Sequence, residues 1–381
     1  MGAKPESEGY GLLQTRAAPD SAASLPHETA LHHSPRSAGP TRNHIAERLL
    51  DVMRQPFDLD DTSMPLSVNT SIGIAIGDRD NGGDLLRDAD VALYQAKAGG
   101  KNRYEIFLPE MQTEISRRIE LEFDLRSAVD NNQFFLVYQP IYNLDDLSLV
   151  AVEALLRWRH PIAGVIEPDE FIPILEQTGQ ILEVGRWVLT QACTQMAEWH
   201  AEGDTLDVSV NVSGRQLDHD QIVNHVRDAL ASSGLPPSSL IIEVTETALM
   251  RKAGETSGRL KAITELGVRI AIDDFGTGYS SLAYLQQFDV DCLKIDRGFT
   301  HAITTSPESK ALIRTLVQLG RDLGLKTLAE GVETTSEMDH LRSEQVDEAQ
   351  GFLLSRPLDA AALEEQILVP CRATTEAPRS P

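Results

Sequence analysis

From residue 134 onward, short apolar segments alternate with longer amphipathic ones, and the alternation repeats eight times. The short segments are FFLVYQP, LVAVEALLRW, LDVSVNVS, SLIIEVTE, VRIAIDDF, DCLKID, LKTLAEGVE and VDEAQGF. Residues 180–200, 214–232, 251–266 and 307–323 lie between them and carry apolar side chains at helical spacing. A helix between successive strands leaves room for a crossover, so the strands are expected to run parallel. Eight repeats predict an α/β fold of the (β/α)8, TIM-like barrel type over residues 131–368. A doubly wound open sheet is the alternative architecture that the same alternation allows.

Each apolar run ends on a polar residue: Gln139, Glu153, Asn211, Glu243, Asp273, Lys294, Glu330 and Gln350 in chain order. In a (β/α)8 barrel the carboxyl ends of the strands line the active site, so these eight are expected to converge. Glu153, Asn211, Glu243 and Asp273 offer oxygen ligands with no histidine or cysteine among them. Such a set suits Mg2+ or Mn2+ better than Zn2+. Lys294, placed among the acids, can hold a water or stabilise developing negative charge. Arg157, four residues after Glu153, is suited to clamping a phosphate. In an extended strand Asp273 and Asp274 point to opposite faces, so the backbone has to turn for both to reach one site. Gly276 and Gly278 permit that turn. Asp273 could then bridge two cations while Asp274 binds the second, an arrangement suited to phosphoester hydrolysis. The formal net charge of −24 disfavours a DNA or RNA polymer or an acidic membrane surface as partner. An anionic substrate would need a local cation or a specific arginine.

Upstream of the barrel the pattern changes. Residues 1–44 are rich in Ala, Ser, Pro, Gly and His without a period and are predicted to be a disordered tail. Residues 45–108 hold a helix at IAERLLDVM, a strand at LSVNTSIGIAI, a helix at LLRDADVALYQAKAGGKN ending at Gly99-Gly100, and a short strand at RYEIF. Residues 109–130 read as a connecting helix, and 369–381 as a disordered C-terminal tail. Cys193, Cys292 and Cys371 have no metal or redox spacing and fit a reducing cytoplasm. No apolar run is long enough for a transmembrane helix, and the N-terminus lacks a secretory core.

Seven stretches in order, EALLRW (153–158), NVSGRQL (211–217), EVTE (243–246), DDFGTGYSSL (273–282), LKIDRGF (293–299), AEGVET (329–334) and QGFLLSRPL (350–358), resemble the EAL-domain phosphodiesterases. These hydrolyse the bacterial second messenger cyclic di-GMP to linear pGpG. The resemblance extends over about residues 115–368. It implies that Glu153, Asn211, Glu243 and Asp273 are metal ligands, with Asp274 at a second metal. It implies that Lys294 and Glu330 position and activate the water and that Gln350 is a further active-site group. Gln139, Leu155 and Arg157 correspond to substrate contacts, and Phe352 and Pro357 to a base-contacting region. Glu246 corresponds to the anchor of the loop carrying DDFGTG, a loop also tied to homodimer formation. Mg2+ or Mn2+ is the implied cofactor, with Ca2+ inhibitory. The chain departs from the family pattern at Phe288-Asp289, where Leu-Pro is frequent, and at Gln345-Val346-Asp347, where Gly-Cys-Asp is frequent.

Residues 45–107 resemble the C-terminal half of a GGDEF diguanylate cyclase domain. The Gly-Gly-Asp/Glu-Glu-Phe signature is absent; Gly82-Gly83 is followed by Asp-Leu-Leu instead. A cyclase without that site cannot join two GTP molecules, so this part is expected to be a degenerate remnant. Two rivals to a phosphodiesterase remain at this point. One is a catalytically silent cyclic di-GMP receptor acting through a protein partner; the other is a scaffold that works through the remnant.

Overall fold

The structure, a computed structural model, describes residues 10–18, 28–33, 41–55, 68–77, 82–251, 253–276 and 288–375. The chain divides into two units, Met1–Phe123 and Asp124–Pro381.

The first unit is built on a four-stranded sheet of β1 (Tyr10–Ala18), β2 (Glu28–His33), β3 (Asn69–Gly77) and β4 (Tyr104–Ile106), in the order β2-β1-β3-β4. The helix Gly82–Ala98 closes on β3 at Gly73, where a Cβ would meet the Ala89 carbonyl oxygen at 2.1 Å. Ala75, Leu85 and Ala89 pack together in one small core, and Ala46, Leu50, Ile72 and Ile74 in another. The predicted tail over 1–44 is corrected here, because β1, β2 and the start of the helix Thr41–Met53 fall within it. Composition missed β1 because its pairing is a backbone matter. Tyr10 to Ala18 run antiparallel along β3 from Gly77 to Asn69, which covers an edge otherwise left unpaired. The rest of that predicted tail lies outside the described residues.

The second unit is a closed barrel of β5 (Phe134–Asn143), β6 (Leu149–His160), β8 (Asp207–Asn211), β9 (Leu240–Thr245), β10 (Arg269–Phe275), β11 (Cys292–Ile295), β12 (Lys326–Ala329) and β13 (Glu348–Ala349). Strand β7 (Gly164–Ile166) extends β6 outside the closed ring. Six of the eight neighbour pairings are parallel, as the alternation predicts, but β5 runs antiparallel to both β6 and β13. The cause is the β5–β6 connection, residues 144–148, which is too short for a crossover. The predicted helices are present as Ile181–Ala201, Gln221–Ser233, Ala253–Thr264 and Pro307–Leu323. The connecting helix runs Pro109–Leu125, ending before the predicted 130. The predicted C-terminal tail is corrected at its start. A helix occupies Val369–Thr375, where Arg372 Nη2 lies 2.8 Å from Glu202 Oε2 and its Nε donates to Asp204 at 3.1 Å. Residues 376–381 lie outside the described residues. Among the described residues no helix is long and apolar enough to cross a membrane.

Alternation along each strand builds the barrel interior in layers. Asp207, Ser209 and Asn211 follow one another on β8, and Arg269, Ala271 and Asp273 on β10. The register sets Ser209 beside Glu153 and Ala271 beside Glu243. Charged pairs, Arg269 with Asp207 and Lys326 with Glu348, sit at the amino ends of the strands. Ile141, Ala151 and Leu328 pack in the layer above them.

Candidate active site

The uppermost interior layer is polar and centres on Lys294, which is 1% exposed. Its Nζ donates to Glu243 Oε2 at 2.5 Å and stands 2.6 Å from Glu330 Oε1, 3.5 Å from Asp273 Oδ1 and 3.7 Å from Glu153 Oε2. Asn211 Nδ2 donates to Glu153 Oε1 at 2.7 Å. Gln350 Nε2 donates to Glu153 Oε2 at 2.7 Å and to Glu330 Oε1 at 3.3 Å. Seven of the eight predicted strand-end groups therefore meet in one network. The eighth, Gln139, lies in the middle of β5 rather than at its end, because that strand runs the other way; it is the cross-strand partner of Glu153.

Asp274 answers how two adjacent aspartates reach one site. Its φ is 55°, so the left-handed turn falls on the aspartate itself, followed by Gly276 at 97°. Aspartate is among the few side chains that adopt this conformation routinely, at a cost of about 1–3 kcal/mol. The register slips between Ile272 and Phe275 at this point, and Asp274 N donates to Asp273 Oδ1 at 3.0 Å. Asp273, Asp274 and Glu330 each offer an oxygen, all within 4.8 Å of one another. Glu330, which the sequence reading pairs with Lys294 for water, thus also belongs to the closest carboxylate group. Gly278, the other glycine of the predicted turn, lies outside the described residues, as do all of 277–287.

The charges are not balanced. Burial, and then the charge of Glu153, push Glu243 well above the usual carboxylate range against the pull of Lys294. Burial pushes Glu330 up to about 7 against Lys294, with Asp273 and Glu153 adding to the rise. Burial raises Asp274 too, followed by the charges of Asp273 and Asp296. Glu153 goes the other way: its burial is outweighed by Lys294 and by hydrogen bonds from Gln350 and Asn211. Lys294 would lose its proton through burial alone, but the surrounding carboxylates, Glu153 and Glu243 first, hold its pKa well above the usual lysine range. Four carboxyl groups around one ammonium, with Asp274 beside two of them and only oxygen ligands on offer, fit a divalent hard cation.

Around this centre the other predicted residues take distinct places. Glu246 is buried and its Oε2 accepts Gly276 N at 3.1 Å, tying it to the turn after Asp274. Leu155 lines a groove of about 480 Å3 together with Pro168, Asp169, Ser213 and Gln216, bordered by Asn211. Arg157 sits 3.4 Å from Glu167 Oε2, a partner with no sequence signal of its own. Phe352 is 49% exposed, with the Arg356 guanidinium 4.4 Å from its ring centre. Pro357 is half-buried beside Leu358, whose N donates to Tyr138 O at 2.9 Å. Among the described residues, no hydrogen bond links Arg157, Phe352 or Pro357 to the Lys294 network. Sequence reasoning passed over Ser209, which is buried beneath the carboxylates and has no hydrogen-bond partner among the described residues. Its only sequence signal is its place two residues before Asn211 on the same face of β8.

Comparison with known proteins shows the family. Residues 122–357 match the EAL domain family, and residues 30–103 match the diguanylate cyclase GGDEF domain family. The second match begins upstream of the predicted boundary at 45. The bifunctional diguanylate cyclase/cyclic di-GMP phosphodiesterase MucR of Pseudomonas aeruginosa is 40% identical over 320 residues, which cover 84% of this chain and 47% of MucR. The cyclic di-GMP phosphodiesterase NbdA of the same organism is 38% identical over 322 residues, covering 84% of this chain and 41% of NbdA. The chain thus spans less than half the length of these two relatives. Among solved structures, the PaMucR phosphodiesterase in complex with c-di-GMP is 44% identical with a TM-score of 0.63, covering 64% of this chain and 99% of that one. The EAL enzyme Bd1971, bound to cAMP and cyclic di-GMP, is 25% identical with a TM-score of 0.63, covering 94% and 95% of the two chains.

Proposed function

The chain belongs to the EAL domain family, and from that membership and the site's geometry we propose that it is a metal-dependent phosphodiesterase converting cyclic di-GMP to linear pGpG, working in the cytoplasm as a homodimer. The observation that carries this reading is the buried ammonium of Lys294 set among four carboxyl groups at the barrel mouth, with Asp274 beside two of them. Glu153, Asn211, Glu243 and Asp273 would hold one cation, and Asp273 with Asp274 a second. Bound there, Mg2+ or Mn2+ would supply Lewis-acid stabilisation of the phosphate and a more acidic water.

The remaining chemistry belongs to the chain's own residues. Lys294 Nζ, between Glu243 and Glu330, would donate to the attacking water and to the phosphate oxygens as charge builds. Glu330, held 2.6 Å from Lys294 Nζ beside Asp273 and Asp274, would take the proton from that water as a carboxylate. Gln350 and Asn211 fix the two oxygens of Glu153 and keep it ionised. The groove beside Leu155 offers an apolar seat of about 480 Å3, with Asp169 at its edge, for one base of the dinucleotide. Arg157, oriented by Glu167, would face a phosphate. Glu246 would keep the Asp273-Asp274 turn in register through Gly276.

The test is turnover. Purified chain incubated with cyclic di-GMP and Mg2+ or Mn2+ should yield pGpG by chromatography. Chelator should abolish the product, and Ca2+ should not restore it, since its looser coordination suits this compact set poorly. Binding of the dinucleotide without hydrolysis in either metal would refute the enzyme and leave a receptor.

A further inference from the structure

Beneath the Lys294 network the barrel interior is not filled. A cavity of about 40 Å3 is lined by Ser209, Glu243, Lys294, Ala271, Cys292 and Leu328, among others. Its origin is legible in the chain. Layers inside such barrels are ordinarily filled by large branched side chains. Here Ala151, Ser209, Ala271 and Cys292 put small groups into the layer below the carboxylates. The space is enough for about three or four waters at about 10–15 Å3 each.

Ser209 supplies the second observation. It is 1% exposed, and its Oγ has no hydrogen-bond partner among the described residues. A buried hydroxyl without a partner is costly, and although most of the lining is apolar, a water at Ser209 would find further polar partners in the charged groups on the same wall. In register, Ser209 neighbours Glu153 on β6 and Ile241 on β9, one layer below Asn211 and Glu243. Charged groups line the cavity at both ends, Glu243 and Lys294 above and Asp207, Arg269, Lys326 and Glu348 at the amino ends of the strands. Ser209 lies one layer under Glu243, so a water on its hydroxyl is nearer in register to the upper pair.

We propose that Ser209 is a positioning residue. Its hydroxyl anchors ordered water in this chamber, and that water braces Glu243 and Lys294 from below so that the carboxylates at the mouth are held ready for a divalent cation. The inference rests on the metal-binding part of the proposed function. It commits to water as the occupant, since the volume excludes anything much larger.

The experiment is a comparison of Ser209→Ala, which removes the hydroxyl, Ser209→Val, which also fills the chamber, and Ser209→Thr, which keeps the hydroxyl. Mn2+ binding is measured by calorimetry on the substrate-free full chain, beside thermal melts. Ala and Val should weaken Mn2+ binding about tenfold, in line with the effect of losing groups that orient metal ligands, while Thr stays close to wild type. A merely structural serine would shift the melts and leave Mn2+ affinity equal in all four proteins; that result overturns the proposal. A wild-type chain that takes up no Mn2+ overturns it too. A wild-type chain that binds Mn2+ but hydrolyses no cyclic di-GMP refutes the phosphodiesterase reading alone, and the ratio between variants still decides the role of Ser209. A high-resolution crystal structure should show water within hydrogen-bond reach of Ser209 Oγ, and an empty chamber there would equally overturn the idea.

Discussion

Replacing Glu330 by Gln tests the charge imbalance at the barrel mouth. Glu330 titrates near 7 in the folded chain, against an ordinary value of 4.5. The folded state therefore binds this proton more tightly than the unfolded state, so the sign runs against the usual carboxylate case. Below pH 4.5 the group is protonated in both states and costs nothing. As pH rises from 4.5 to about 7 the unfolded chain gains by ionising first, and folded stability falls. That rise from 4.5 to about 7 corresponds to about 3 kcal/mol, at about 1.4 kcal/mol for each tenfold change in proton affinity. For a unit of this size that is on the order of 6–12 °C in Tm. Gln keeps the shape and can still accept from Lys294, but it does not titrate. Calorimetric melts of both proteins in chelator, from pH 4.5 to 8.5, should show the wild type losing ground to Glu330→Gln through this window and running parallel above it. Mg2+ should narrow the gap, because a cation bound only by the folded state favours the ionised carboxylate. Parallel curves throughout, with or without Mg2+, would refute the assignment of an undercompensated acid to Glu330.

Three further outcomes follow from the same geometry. Glu153→Ala should still fold, with a lower melt because Asn211 and Gln350 lose their shared acceptor, and should lose hydrolysis by several orders of magnitude; near-normal turnover in a folded variant would show that Glu153 is not a ligand. Glu246→Gln weakens the acceptor of Gly276 N, and since a displacement of about 1 Å can cost on the order of 100-fold, turnover should drop and half-saturating Mg2+ should rise in a metal titration. Incubation with GTP should give no cyclic di-GMP, because the Gly-Gly-Asp/Glu-Glu-Phe signature is absent; product seen by chromatography would contradict the reading of residues 45–108 as a remnant.

Periodicity made most of the barrel legible. Alternating strands and helices announce parallel pairing, and a polar residue closing each apolar run announces a convergent mouth. Two things escaped it for physical reasons. Strand direction is set by the length of a connection, and the turn 144–148 carries no hydrophobic signal. Reading Gln139 as one more strand end was the consequence, whereas antiparallel pairing sets it opposite Glu153. The left-handed backbone at Asp274 was equally hidden, since the nearby glycines drew the expected turn to themselves. Ser209 escaped because its significance lies in the small residues around it on other strands, which no single segment displays.

Lys294 explains how so many acids share one buried mouth without unfolding it. An isolated ammonium at 1% exposure would shed its proton, and isolated buried carboxylates would take one up. Each corrects the other, but unevenly. Lysine is a compact point charge on a flexible stem and meets two carboxylates closely, Glu243 at 2.5 Å and Glu330 at 2.6 Å, while Asp273 and Glu153 stay at 3.5 and 3.7 Å. Glu153 compensates through Asn211 and Gln350. Asp273 has neither the short contact nor those two amides, and it neighbours Asp274 on the turned backbone. The uncompensated negative charge is thereby concentrated where Asp273, Asp274 and Glu330 face one another within 4.8 Å. One lysine is enough to let the barrel fold and too little to neutralise its mouth, so the residual demand for positive charge falls at the place where a cation can act on a phosphate.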